Sequence, residues 1–278
     1  MSAMSIPSLP PELLDRIIDL LYDSHTTLRD CCLVAKSWVP RTRSHLFDKV
    51  ILSIEELRTW KEIFPDPSTS PARYAKTLII ACIPVTAAEG EVGGWIRGFS
   101  YVERLEVTAH LSGSRATVPL LPFCGFSPIL KSLSVYFYFD PSSEIFDLIL
   151  SFPLLEDLHV TIGDNGLINN NNGFSQPSTV IQSPNQPMTG FLDLSQCGRL
   201  GFIAGWLLSL SGGLHFCKLA VKCSRPADIS LITMLVEECS HTLEYIEIYC
   251  IFCGMPIRYP FPHRRLISDS SQLGPMFD

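Results

Sequence analysis

A six-residue pattern returns along this chain and limits its folds more than any other feature. It reads apolar or small, two residues, aliphatic, one residue, aliphatic. The copies are AKTLII (75–80), VERLEV (102–107), LKSLSV (130–135), LEDLHV (155–160), TGFLDL (189–194), FCKLAV (216–221) and LEYIEI (243–248). Their central aliphatics are Leu78, Leu105, Leu133, Leu158, Leu192, Leu219 and Ile246, separated by 27, 28, 25, 34, 27 and 27 residues. Aliphatic side chains two apart share one face of a strand, so each copy predicts a strand with one buried face. The long gap holds NNNNGFSQPSTVIQSPNQP, within a polar insertion at 165–188 that reads as a loop. The period survives that insertion, which argues against coincidence.

Helical segments alternate with these strands. SSEIFDLILSF (142–152) carries a stripe of Ile145, Leu148, Ile149 and Phe152, and ADISLITMLVEECS (227–240) one of Ile229, Ile232, Leu235 and Val236. GFIAGWLLSLS (201–211) is apolar enough to be a buried helix, and TAAEGEVGGWIRGF predicts one short helix. Strand–helix units of this length build a parallel sheet in which each unit covers the next. The fold class is therefore α/β. The spacing resembles that of divergent leucine-rich repeats, although the asparagine of that motif is mostly absent. The resemblance implies a solenoid of parallel strands and helices over 72–253; an ordinary α/β domain with parallel strands is the alternative.

The first fifty residues are different. LPPELLDRIIDLLYD (9–23) has Pro10 and Pro11 where a helix begins and needs no N–H partners, with Glu12 and Asp15 near the positive end of the helix dipole. On a helical wheel Leu13, Leu14, Ile17, Ile18, Leu20, Leu21 and Tyr22 cover about 200°, more than the roughly 100° stripe of a surface helix. Such a helix wants two neighbours. TTLRDCCLVAKSWVPRTRSHLF supplies one: Thr27–Asp30 fits a capping pattern, Leu28, Cys32, Ala35 and Val39 form one side, Val34 and Trp38 project elsewhere, and Pro40 is expected to stop the helix. The second neighbour is the rest of the chain or another protein.

These two segments together resemble an F-box, whose pattern is Leu-Pro-x-Glu-aliphatic-aliphatic, then Leu, then Val-x-Lys-x-Trp. Leu9, Pro10, Glu12, Leu13, Ile17, Leu21, Leu28, Val34, Lys36 and Trp38 fall on it. Ala35 stands where many members carry Cys or Ser, and Ser37 replaces a commoner Arg. The resemblance covers about residues 5–50 and implies docking on the Skp-type adaptor of a cullin-based ubiquitin ligase. Leu9, Pro10, Leu13, Ile17, Val34 and Trp38 are the expected adaptor surface. Spacing leaves open which of them face the adaptor and which the chain's own core. A helical cap packed only on its own chain is the alternative.

Residues 51–71 read as a connecting helix and linker. Ser53 to Glu56 fits a capping box, Leu57, Trp60, Ile63 and Phe64 form a stripe expected to be core, and PDPSTSP breaks the helix. Residues 254–278 are expected to be a poorly ordered tail.

Composition excludes several functions. A net charge of −7 gives no broad attraction to nucleic acid or an anionic membrane. The opening MSAMSIPSLPPEL lacks a basic stretch followed by an apolar core, so no export signal is expected. The ten cysteines then read as reduced thiols in a cytoplasmic or nuclear protein. LGFIAGWLLSLSGGLHFC (200–217) just reaches spanning length, but its glycines and the SGG turn argue against a membrane helix.

Chemistry is equally sparse. Cys250 and Cys253 form the only C-x-x-C pair, and Cys239, His241 and His263 stand at no familiar metal spacing. No phosphate loop, dinucleotide fingerprint or nucleophile elbow occurs. His263-Arg264-Arg265 is too short for a nucleic-acid patch. No catalytic residue, metal or cofactor is expected; a triad assembled only by folding stays open.

The expected protein is thus an adaptor: an F-box-like module (5–50) gripping the Skp-type partner and through it a cullin, and a repeat domain holding an unknown client. The repeat resemblance places Glu106, Thr108, Ser134, Tyr136, His159, Thr161, Lys222, Glu247 and Tyr249 outward on the concave side as client contacts. A non-ligase interaction scaffold and, remotely, an α/β enzyme are the other readings.

Overall fold

The computed structural model describes residues 9–66, 69–81, 96–109, 120, 123–137, 144–163, 187–210, 212–250 and 256–260. Three helices come first: α1 (Pro11–Asp19), α2 (His25–Val34) and α3 (Val39–Leu46). Pro11 opens α1 at its first turn, and the N–H groups of Leu13 and Leu14 donate to the Pro10 carbonyl at 3.0 and 3.2 Å. The helix stops at Asp19, short of the fifteen-residue stretch the wheel assumed, and Leu20–Tyr22 form a turn. The 9–23 wheel therefore overstated the helical arc.

Two local expectations for the second segment are corrected. Thr27–Asp30 does not cap α2, which starts earlier behind Ser24 and has no side-chain cap bond. Pro40 does not stop a helix. The chain goes extended at Ala35 (φ −153°, ψ 144°), makes a short 3-10 turn at Lys36–Trp38, and restarts as α3 with Pro40 in its first turn, where no N–H is needed.

The rest is built on one nine-stranded sheet: β1 (Lys49–Ser53), β2 (Thr77–Ala81), β3 (Arg104–Ala109), β4 (Ser132–Phe137), β5 (Asp157–Ile162), β6 (Met188–Leu194), β7 (Leu214–Cys223), β8 (Tyr245–Cys250) and β9 (Pro256–Pro260). The strands lie in chain order; β1 to β8 are parallel and β9 is antiparallel to β8. The chain is α/β. All seven copies of the repeated pattern are strands of this sheet. Their central aliphatics stand in one register row, Leu78–Leu105–Leu133–Leu158–Leu192–Leu219–Ile246, with Val50 of β1 extending it.

The two end strands lie outside the segments assigned to the repeat. β1 crosses the 50/51 position put between module and linker. β9 occupies Pro256–Pro260 inside the expected tail, so those residues are ordered by pairing with β8; residues 261–278 lie outside the described ones, as do Cys253 and His263 and most of the 165–188 insertion.

Burial alternates strictly along β4 and β5, with Leu133, Val135, Phe137, Leu158, Val160 and Ile162 buried and their neighbours half-open. The dry face is covered by α4 (Ile54–Ile63), α5 (Glu144–Leu150), α6 (Leu200–Leu208) and α7 (Pro226–Glu238), whose apolar stripes join one core with the strands. Neighbouring helices interlock: Phe146 of α5 stacks on Trp206 of α6 with ring centroids 4.3 Å apart, and α6 packs on α7. The predicted box at Ser53 and Glu56 caps α4, with both reciprocal bonds formed at 2.7 and 3.3 Å. Trp60 meets Phe47, Phe64 and Phe99 and donates from Nε1 to Ser70 Oγ at 3.1 Å, so this stripe is core; Ile63 alone is exposed.

One hydrogen-bond unit repeats with the sequence period. Lys76 and Thr77 N–H donate together to the Asp48 carbonyl, Glu103 and Arg104 to Lys76, Lys131 and Ser132 to Glu103, and Glu156 and Asp157 to Lys131, all at 2.7–3.0 Å. Side-chain hydroxyls bridge units as well: the buried Ser127 Oγ donates to the Val102 carbonyl at 2.6 Å, and the half-buried Thr242 Oγ1 to the Phe216 carbonyl at 3.1 Å. Between β6 and β7 the register shifts at Gly190/Phe191, where Gly190 pairs with Phe216 and Phe191 with Lys218. The φ of Gly190 is +88°, and a Cβ there would stand 1.9 Å from the Glu156 carbonyl oxygen, so only glycine fits.

Candidate protein-interaction surfaces

Two surfaces collect the residues singled out from sequence. The first is on the helical module, whose own core is small: Ile18, Leu28 and Cys31 are its buried apolar residues. Thr42 is fully buried among them and donates to the Trp38 carbonyl at 2.7 Å, with Cys32 Sγ 3.0 Å from its hydroxyl. The expected core position Cys32 is half-buried, and its neighbour Cys31 takes the interior place.

Charge fixes α1 against α3. Asp19 accepts from Nε and Nη2 of Arg41, each at 2.5 Å, and lies 2.7 Å from His45 Nε2. The Arg41 bonds first, then His45, hold the Asp19 carboxyl at about 2. With this clamp on one side, the other side of α1 faces outward.

Leu9, Pro10, Leu13, Ile17 and Val34 are exposed, and Trp38 is half-buried. Leu20, Tyr22 and Leu33 are exposed too and were not among the predicted contacts; Leu20 and Leu33 are 79 and 86 % open. Twelve large apolar side chains are exposed among the described residues, and seven of them fall within residues 9–34. Leu33 was legible in principle. It lies five residues after the buried Leu28, about 140° away around a helix. Leu20 stands on the apolar arc of the sequence wheel and lies one residue past the end of α1.

The second surface is the outward sheet face, and the structure brings the nine predicted contacts onto it. Glu106, Ser134 and His159 are successive register neighbours, as are Thr108, Tyr136 and Thr161, and Lys222 neighbours Tyr249. All nine are half-buried. The row through His159 continues as Asp193, Ala220 and Glu247. Asp193 and Ala220 went unselected although they hold the same place in FLDL and KLAV as Glu106 holds in RLEV, so the pattern itself pointed to them.

This face carries local electrostatics. His159 Nδ1 lies 3.1 Å from Asp193 Oδ2, and the ring stands edge-on to Phe191 at 5.1 Å. Burial pushes the Asp193 carboxyl up, but bonds from His159 and from the Ser195 hydroxyl and N–H outweigh it and hold the group below its ordinary value. Arg258 Nε of β9 donates to Glu247 Oε1 at 2.6 Å, and the same carboxylate raises the Tyr249 phenol. Ser134 is the register neighbour of His159 on β4, which sets serine, histidine and aspartate in one row, yet no hydrogen bond joins Ser134 to the ring. The row lacks the nucleophile–base contact that acyl transfer requires.

The eight described cysteines are free thiols, and burial pushes those of Cys197 and Cys239 up to about 11, away from thiolate reactivity. Among the described residues no cluster of histidine, cysteine and carboxylates is placed to hold a metal, and no helix is long and apolar enough to cross a membrane. Compared with protein-family models, curated proteins and solved structures, the chain matches none.

Proposed function

We propose that this protein is a substrate receptor of a Skp–cullin–F-box ubiquitin ligase, with an F-box-like helical module joined to a leucine-rich-repeat-like solenoid. The module docks on the Skp-type adaptor, the outward sheet face holds a client, and ubiquitin transfer belongs to other subunits. The observation that carries this reading is the surplus of apolar surface in residues 9–34, with Leu9, Leu13, Ile17 and Val34 open to solvent. Fully covering one Leu or Ile is worth about 1.5–3 kcal/mol. A patch of this kind on a short helical pair fits a partner helix surface.

The sheet supports the second half of the reading. Parallel sheets are ordinarily covered on both faces. Here strands in chain order, one dry face and one open face match stacked repeats, in which each unit contacts its neighbours and the bare face receives a partner. The bridging hydroxyls of Ser127 and Thr242 supply inter-unit bonds of the sort the missing asparagines would otherwise make.

Co-expression with a Skp-type adaptor tests the proposal. The wild-type chain is expected to co-elute with the adaptor, and the double variant Leu13→Asp, Ile17→Asp to elute alone while keeping its thermal midpoint. A wild-type chain that never captures the adaptor would sink the ligase reading.

A further inference from the structure

The outward face is chemically uneven, and its β6–β9 end has a charge arrangement of its own. β7 presents Lys218, Ala220 and Lys222 there. Phe191 and Tyr245 flank Lys218, Asp193 and Glu247 flank Ala220, and Tyr249 neighbours Lys222. Each of the two carboxylates already has internal partners: His159 and the Ser195 N–H for Asp193, Arg258 for Glu247. Neither lysine pairs with any acid of the described residues, and Lys218 is exposed. Among the described residues, the charged groups on β6–β9 of this face that lack a hydrogen-bond or ion-pair partner are therefore the two ammonium groups, on Cα positions about 13 Å apart along the strand. Three cations stand against two carboxylates here, in a chain whose net charge is −7.

We propose that this end of the sheet docks an acidic, extended segment of a protein client, with Lys218 and Lys222 meeting its carboxylates and Phe191, Tyr245 and Tyr249 flanking it. The proposal rests on the reading of the sheet face as the client surface and specifies the client's chemistry. Ala220, walled in by its longer neighbours and only 5 % exposed, forms the floor between the lysines. Lysines set beside aromatic rings combine apolar contact with charge at the rim of an interface. Nucleic acid suits the site poorly, because Asp193 and Glu247 would face its evenly spaced phosphates.

Fluorescence anisotropy on the full chain tests this with a labelled short peptide of alternating glutamate and tyrosine, against its glutamine–tyrosine counterpart. The glutamate peptide is expected to bind more tightly, and less so as salt rises. Lys218→Glu with Lys222→Glu is expected to weaken it by about tenfold, and Lys218→Gln with Lys222→Gln to weaken it less while keeping the wild-type thermal midpoint. Lys49→Glu, on the far strand, should leave binding unchanged. Equal binding of the glutamine peptide, no binding of either, a loss with Lys49→Glu as large as with the pair, or tighter binding of a single-stranded oligonucleotide would each overturn the proposal. Adaptor capture is read separately: a chain that binds the glutamate peptide through both lysines but captures no adaptor keeps this surface and loses the ligase reading. A chain that captures the adaptor but ignores the peptide does the reverse.

Discussion

The helical module and the sheet dispose of their apolar residues in opposite ways. In the sheet, Leu105, Leu133, Leu158, Leu192 and Leu219 are at most 1 % exposed, and a layer of helices covers them. In the module, buried apolar residues are few and Leu13, Ile17, Leu20, Leu33 and Val34 face water. One region has closed its core, and the other holds apolar surface that the described residues leave bare. The difference teaches where mutations will be felt as lost stability and where as lost binding.

The strongest way to break the closed region is at its tightest point. Gly190→Ala pushes a methyl group into the Glu156 carbonyl at a positive φ, and we expect about 4 kcal/mol of destabilisation in urea unfolding. Leu133→Ala, in the middle of the fully buried row, should cost about 3 kcal/mol by the same measurement. A cost below about 1 kcal/mol for Leu133→Ala would mean the row is not a packed core.

A smaller effect is expected at the clamp within the module. Asp19→Asn should lose under about 1 kcal/mol, since Asp19 and Arg41 are both more than a third exposed and solvent screens the pair. The sign with pH follows from a carboxyl held at about 2 against an ordinary 3.8. The clamp's contribution is complete above about pH 4 and is lost as pH falls through about 2. Wild type and Asp19→Asn should therefore differ in thermal midpoint at pH 6 and converge near pH 2; a gap that widens in acid would refute the assignment.

The smallest effect on stability, and the sharpest test of the contrast, is at the bare positions. Leu20→Ser and Leu33→Ser should each change unfolding free energy by less than about 0.5 kcal/mol. If Leu33→Ser destabilises the chain as Leu133→Ala does, the surplus is structural and no partner is needed to explain it.

Much of the sheet was legible because its signal is local and repeated. The two aliphatics of each copy point the same way in any strand, so the seven patterns became strands in mutual register. The capping box at Ser53 and Glu56 was legible for the same reason, being completed within one helical turn. β1 and β9 escaped the pattern. KVILS carries a strand alternation but sits in a stretch read as the end of one unit and the start of a linker, and β9 is ordered by antiparallel pairing with β8 rather than by its own periodicity. Pro40 by itself does not distinguish the end of one helix from the first turn of the next, since proline is compatible with both. Only the extended backbone at Ala35 decided between them.

The candidate surfaces divide along the same line. The sequence by itself determined the strand period, the α/β class and which side chains alternate outward, because these follow from backbone geometry between near neighbours. Tertiary structure alone decided that α1 ends at Asp19 under the clamp from α3, that Leu33 is bare, and that Asp193 and Glu247 find partners in His159 and Arg258 while Lys218 and Lys222 pair with no acid of the described residues. Exposure and ion pairing depend on groups distant along the chain, 34 residues apart in the case of His159 and Asp193, and the local pattern does not encode them.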